Sequence, residues 1–173
     1  LDLVALDPMS VSRALENNMH QEDKHFDRDL IKKRLIDFEG LVLFSYECKA
    51  GYTSLGVGRN LDTRGITEDE AMYLLSNDIE SVFKDLDKHL AIWRSYPIEA
   101  QYVFIDLCFN LGIHTLLSFR KTLALCQLGE WEKAAAELLR SRYARQVGRR
   151  AIFNSEELAK CQKQIKKTTT PND

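Results

Sequence analysis

Most of the chain repeats its apolar residues at helical spacing, and one short stretch does not. Asp27 and Asp29 stand where a helix N-cap belongs. Ile31, Leu35 and Phe38 follow at i, i+4 and i+7, and Gly40 is suited to end the run as a C′ residue. Upstream, Leu15 and Met19 lie one turn apart within Ser10 to His20, a weaker amphipathic helix that loosens into the polar link Gln21 to His25. From Val42 to Arg59 the period changes. Two runs rich in Val, Phe, Tyr and Thr flank Lys49-Ala50-Gly51, which predicts a β-hairpin. In the second run Thr53, Leu55 and Val57 share one face, expected to pack, and Ser54, Gly56 and Gly58 share the other, expected to be bare. Glycines so placed mark either close approach of a ligand or a strongly twisted small sheet.

Beyond the hairpin the pattern is helical again. Asn60 to Gly65 reads as a turn, and Thr67-Glu68-Asp69-Glu70 is a capping box that opens a long helix. Ala71, Leu74, Leu75, Ile79, Val82 and Phe83 carry its apolar face to at least Leu86, with helix extending as far as Trp93. Pro97 suits the first position of the next helix, whose residues Tyr102 to Phe109 are apolar almost all round until Gly112; this is the central, buried helix. Shorter helices are predicted over Ser118 to Leu128, Trp131 to about Arg142, and Gly148 to Lys166. The expected fold is α+β, mainly α: a small lobe with one β-hairpin, joined by a long helix to a larger helical lobe. Clefts form between such lobes.

Length and composition restrict the class. The 173 residues are 45% hydrophobic and 29% charged, an ordinary globular balance that excludes a disordered or collagen-like chain. No run of about 18 apolar residues spans a bilayer, and the N-terminus lacks the order of a signal peptide; a soluble protein with no encoded export is expected. Cys48, Cys108, Cys126 and Cys161 have no zinc-ligand spacing and are expected to be reduced thiols. His20 and His25 make no metal spacing, and His114 stands alone after the central helix. The net charge of −2 argues against nucleic acid as a partner, although Ser141 to Asp173 holds eight Lys/Arg against three Asp/Glu. Arg140, Arg142, Arg145, Arg149 and Arg150 cluster there without an aromatic stacking platform, so a solvated face with one buried ion pair is expected.

The candidate chemistry begins at Glu39. It falls four residues after Leu35, at the rim of the apolar stripe in the last helical turn, where partial burial is expected. A carboxyl group held at a helix C-terminus meets the negative end of the macrodipole, and burial removes its solvation; both favour a neutral acid, the form a glycosidase needs to protonate a leaving sugar oxygen.

Glu39 is followed after eight residues by Cys48, and Cys48 after five by Ser54, leading into Leu55-Gly56-Val57-Gly58-Arg59-Asn60-Leu61. This resembles the phage-type lysozymes, glycoside hydrolase family 24, whose motif is Glu, eight residues, Asp or Cys, five residues, Thr. The similarity continues in Thr67 to Ala71, Ser76-Asn77-Asp78, Phe109-Asn110-Leu111-Gly112, Ser118 to Leu123, Gly129-Glu130-Trp131, and Ser141-Arg142-Tyr143 leading to Arg149-Arg150-Ala151. It runs from about Leu30 to Ile152. The resemblance implies a lysozyme-like domain over residues 29–166, an N-terminal extension with a helix at 1–28, and a disordered tail at 167–173.

It further implies that Glu39 is the general acid, that Cys48 occupies the place of the second carboxylate, and that Ser54 holds the attacking water. Arg150 aligns with a buried Arg that pairs with the acid, and Arg59 with Asp78 takes the place of a pair between hairpin and long helix. Phe109 and Asn110 fall at the floor of the saccharide cleft, with Gln146 on its far side. Cys48 departs from a carboxylate, since a thiol has a reference pKa of about 8.5 and needs a lowered value to act as base or nucleophile; Arg59 and neighbouring cations are the expected source. Glu47 is discounted as a substitute unless the strand bulges, because adjacent strand residues face opposite ways. The implied activity is a muramidase acting on glycan strands of bacterial peptidoglycan without cofactor or metal. A monomer is expected, made in the host cytoplasm and either released at lysis or carried in a virion. A lytic transglycosylase using Glu39 alone, or a non-cleaving lysozyme-like module, are the alternatives.

Overall fold

Asp27 accepts hydrogen bonds from the backbone N–H groups of Asp29 and Leu30, both at 3.0 Å, and so caps α1 (Arg28–Glu39) where the sequence predicted a cap. Gly40 closes the helix at φ +78°, a left-handed value that an L side chain resists. The computed structural model describes residues 26–168. The helix expected over Ser10 to His20 and the last five residues of the expected tail lie outside them.

After α1 come three antiparallel strands in sequence order, β1 (Val42–Glu47), β2 (Thr53–Gly56) and β3 (Arg59–Asn60). The third strand is an addition to the expected hairpin. It arises because Val57 and Gly58 form a tight turn, with Gly58 at φ +73°, that brings Arg59 opposite Leu55 and Asn60 opposite Ser54. β2 is therefore the central strand. Ser54 lies between Tyr46 on β1 and Asn60 on β3 and is 3% exposed. The expected split into a packed and a bare face is not found: Ser54 is covered, Leu55 and Gly56 are half-buried, and Thr53, Val57 and Gly58 are exposed. A short sheet with a neighbour on each side shields its central strand even where the side chain is polar.

By its internal contacts the chain forms two compact units, one ending at Thr67 and the other starting at Glu68. The second unit is all-helical: α2 (Glu68–His89), a 3₁₀ turn (Ala91–Ser95), α3 (Ile98–Leu111), α4 (Ile113–Leu117), α5 (Arg120–Gln127), α6 (Trp131–Leu139), α7 (Arg142–Val147) and α8 (Arg149–Thr168). Thr67 precedes α2 as its capping box predicts. The long helix stops at His89 instead of reaching Trp93, because Asp87 gathers the next turn beneath it. Its carboxylate accepts from Trp93 Nε1 at 2.8 Å and from Arg94 Nε and Nη2 at 2.6 and 2.7 Å.

The core centres on α3, as its apolar circumference requires: Ala100, Val103, Phe104, Leu107 and Cys108 are all buried. Tyr96 lies against Phe104 at 5.3 Å between centroids and against Trp131 edge-on at 5.2 Å. Fully buried Ala134 on α6 and Ala151 on α8 keep those helices small at their packing faces. Ser155 on α8 adds a direct tie by donating to the carbonyl of Ala135 at 3.0 Å. Cys108, Cys126 and Cys161 are buried free thiols, and Cys48 is a partly exposed one. The architecture is α+β and mainly α. Among the described residues no helix is long and apolar enough to cross a membrane.

Candidate active site

The turn between β1 and β2 is built around Cys48. Its N–H donates to the carbonyl of Tyr52 at 2.9 Å, its carbonyl accepts from Gly51 N–H at 2.8 Å, and Gly51 sits at φ +80°. This curl aims backbone donors back at the side chain. The thiol is held below its ordinary pKa, first by the backbone N–H of Tyr52 and then by that of Ala50, with a further hydrogen bond from the Ser54 hydroxyl; slight desolvation opposes them and loses. Hydrogen bonds to the charged form stabilise the thiolate. The lowering thus comes first from a small nest of main-chain amides, where Arg59 and neighbouring cations were the expected source.

Ser54 and Cys48 are therefore brought together, as their five-residue spacing across a hairpin turn implied. Glu39 belongs to the same unit. It is the last residue of α1, and its Oε2 lies 3.9 Å from where a Cβ on Gly58 would stand. Gly58 leaves the carboxylate flanked by bare backbone in the turn that follows β2. The expected partial burial of Glu39 is not found; the residue is exposed. The reason is visible along α1, where Leu35 is 52% and Phe38 86% exposed, so the helix buries none of its residues. The sheet does have an irregularity, between Val42 and Tyr46, but it lies upstream of Glu47, which pairs with Thr53 and is exposed.

The loop after β3 fixes the hairpin from outside. Asp62 accepts from the N–H of Thr53 at 2.8 Å, while Thr53 accepts from Leu61 N–H at 2.8 Å, so the first residue of β2 is bound on both sides. Arg59 donates from Nε to the carbonyl of Gly65 at 2.8 Å, and Asn60 accepts from Thr63 N–H at 3.0 Å. The bond from Arg59 closes this loop. Asp62 was missed in the sequence, where it was one more residue of a turn.

The other candidates stand in the helical unit. Asp78 lies exposed on α2, Phe109 (44% exposed) and Asn110 on the last turn of α3, and Gln146 exposed on α7. Arg150, near the start of α8, grips Asp106 of α3: Nε donates to both carboxylate oxygens at 3.1 and 3.0 Å, and Nη2 to Oδ1 at 2.6 Å. Asn154 donates to Asp106 Oδ2 at 2.7 Å and to Tyr143 Oη at 3.3 Å. Burial alone would raise the Asp106 pKa, but the bonds from Arg150 and Asn154 outweigh it and hold the carboxyl below its usual range. Asp106 precedes Phe109 and Asn110 by one turn, so this cluster anchors the helix end that carries them. A lone acid inside Tyr102-Val103-Phe104-Ile105-Asp106-Leu107-Cys108 was the available signal for it. Among the described residues no group of three or more His, Cys, Asp or Glu is placed to hold a metal ion.

Residues 36–167 match the family model described as Phage lysozyme. A protein named endolysin, from Acyrthosiphon pisum secondary endosymbiont phage 1, is 32% identical over 118 residues, covering 65% of this chain and 77% of that protein.

Proposed function

Because the chain belongs to the phage lysozyme family, we propose that it is a cell-wall lytic enzyme, a muramidase that hydrolyses the β-1,4 bond between N-acetylmuramic acid and N-acetylglucosamine of bacterial peptidoglycan. The observation that carries this reading is the grouping of Glu39, Cys48 and Ser54 within one small unit at the family's spacing, with Cys48 in the turn that leads into the strand of Ser54. In this reading Glu39 donates its proton to the glycosidic oxygen as the bond to the leaving sugar breaks. Cys48, as thiolate, either takes a proton from the water that attacks the anomeric carbon or attacks that carbon itself, and Ser54 positions the water. The hydrogen bonds that lower the thiol's pKa support both roles. Phe109, Asn110 and Gln146 serve glycan binding, and Arg150, Arg59 and Asp78 support the site. The enzyme acts on the cell wall after synthesis in the host cytoplasm, without cofactor.

The thiol in place of a carboxylate favours one second reading, a lytic transglycosylase in which Glu39 works alone. Mass spectrometry of digested sacculi separates the two. Muropeptides with a reducing N-acetylmuramic acid end are expected. A 1,6-anhydro end would replace the muramidase by the transglycosylase, and the absence of soluble product would leave a binding module.

A further inference from the structure

Away from the residues assigned to cleavage, the helical unit has a concavity, about 430 Å³ in volume, between the start of α5 and the α6–α7 junction. Its lining is Ser118, Phe119, Arg120, Lys121, Thr122, Glu137, Arg140, Ser141 and Arg142. The composition is lopsided. Four cations meet one carboxylate, and that carboxylate, Glu137, is taken by Arg140 at 3.6 Å. The remaining excess of three positive charges is more than a single carboxylate ligand would balance. A phosphate group carries about −1.5 to −2 charges at neutral pH and three acceptor oxygens, and the guanidinium fork suits it.

The rest of the lining fits what a phosphate would be attached to. Three hydroxyls border the space, and Ser141 Oγ accepts from Ala144 N–H at 3.1 Å, which leaves its own O–H as a donor. Phe119, packed on Tyr143 at 6.1 Å between centroids, presents an apolar ring against which the carbon face of a sugar can lie. The volume falls in the range of about 300–1,000 Å³ usual for small-ligand sites. We infer that this basin binds a phosphorylated saccharide, with Arg120, Lys121 and Arg142 on the phosphate and Phe119 with Ser141 on the sugar.

The inference does not rest on the cleavage reading, and its test is a binding measurement. Isotope-labelled full-length protein is titrated with N-acetylglucosamine 1-phosphate and followed by amide chemical shifts. Saturable shifts at Arg120, Thr122 and Ser141 are expected, together with at least tenfold weaker binding in Arg120→Gln/Arg142→Gln and unchanged cell-wall lysis in that variant. Inorganic phosphate and N-acetylglucosamine should each bind at least tenfold more weakly than the sugar phosphate. Equal affinity for inorganic phosphate or acetate, tighter binding of a single-stranded oligonucleotide, or no saturable shift in the unaltered protein would each overturn the assignment.

Discussion

The helical unit that starts at Glu68 buries Trp93, Phe104, Leu107 and Leu138 to 2% exposure or less. In the unit that ends at Thr67, Ser54 is the one buried residue among those described. The first is held by close-packed apolar area, which is non-directional and tolerant of where any one polar group points. The second is held by turns, caps and side-chain-to-backbone bonds: Asp27 on α1, Asp62 on Thr53, Arg59 on Gly65, and the amides around Cys48. Directional bonds contribute little net stability each, on the order of 1 kcal/mol, but they fix orientation. Stability and proposed chemistry are thus divided between the two units, and substitutions should separate them.

The division is most exposed to failure at Phe104. Truncation to Ala removes a fully buried ring and should cost about 3–5 kcal/mol in chemical denaturation; a loss below about 1 kcal/mol would mean that the helical core is not what holds this unit. At the other pole, Cys48→Ala should lower cell-wall lysis on the order of 10²-fold with no change in melting temperature. Cys48→Asp should keep or raise the rate, and thiol alkylation should inhibit. Full activity of both the Ala variant and the alkylated enzyme would leave Glu39 acting alone.

Asp106 belongs to a directional cluster inside the packed unit. With Arg150 40% and Asp106 32% exposed, Asp106→Asn should cost about 1–2 kcal/mol, between a surface and a buried pair. Its folded pKa is depressed, so its contribution is present above the unfolded carboxylate value of about 3.9 and is lost as pH falls through the lower folded value. The gap in melting temperature between wild type and Asp106→Asn should therefore hold from neutral pH down to about 4 and close below it. A gap that widened in acid would contradict the assignment. The smallest effect is expected at Leu35→Ala, about 0.5 kcal/mol or less given its exposure; a loss of 2 kcal/mol or more would show that the stripe on α1 is packed after all.

How far the sequence carried depended on the kind of interaction. The periodic elements α2, α3 and α8 were legible, because burial imposes a repeat that survives in composition, and α1 was legible from its Asp27 cap and closing Gly40. β3 and the short helices α4 and α7 were not, since two to six residues carry no measurable period, and α7 is largely polar. Glu39, Cys48 and Ser54 were found through spacing and family resemblance. What acts on Cys48 was not, because the donors at Tyr52 and Ala50 are main-chain groups that every residue possesses. Likewise Asp106 and Arg150 are 44 residues apart, and only the packing of α8 against α3 joins them. The same gap explains why Glu39 was expected to be partly buried: periodicity marks an apolar stripe but does not say how closely that stripe is covered.

If cleavage resides in the thinly packed unit, Glu39 is its acid. Glu39→Gln is nearly isosteric and cannot donate the proton, so its rate of cell-wall solubilisation, measured beside its melting curve, is the most direct test. A loss of about 10²–10⁴-fold is expected, with the melting temperature unchanged. Lysis by the Gln variant at near the wild-type rate would show that Glu39 is not the acid.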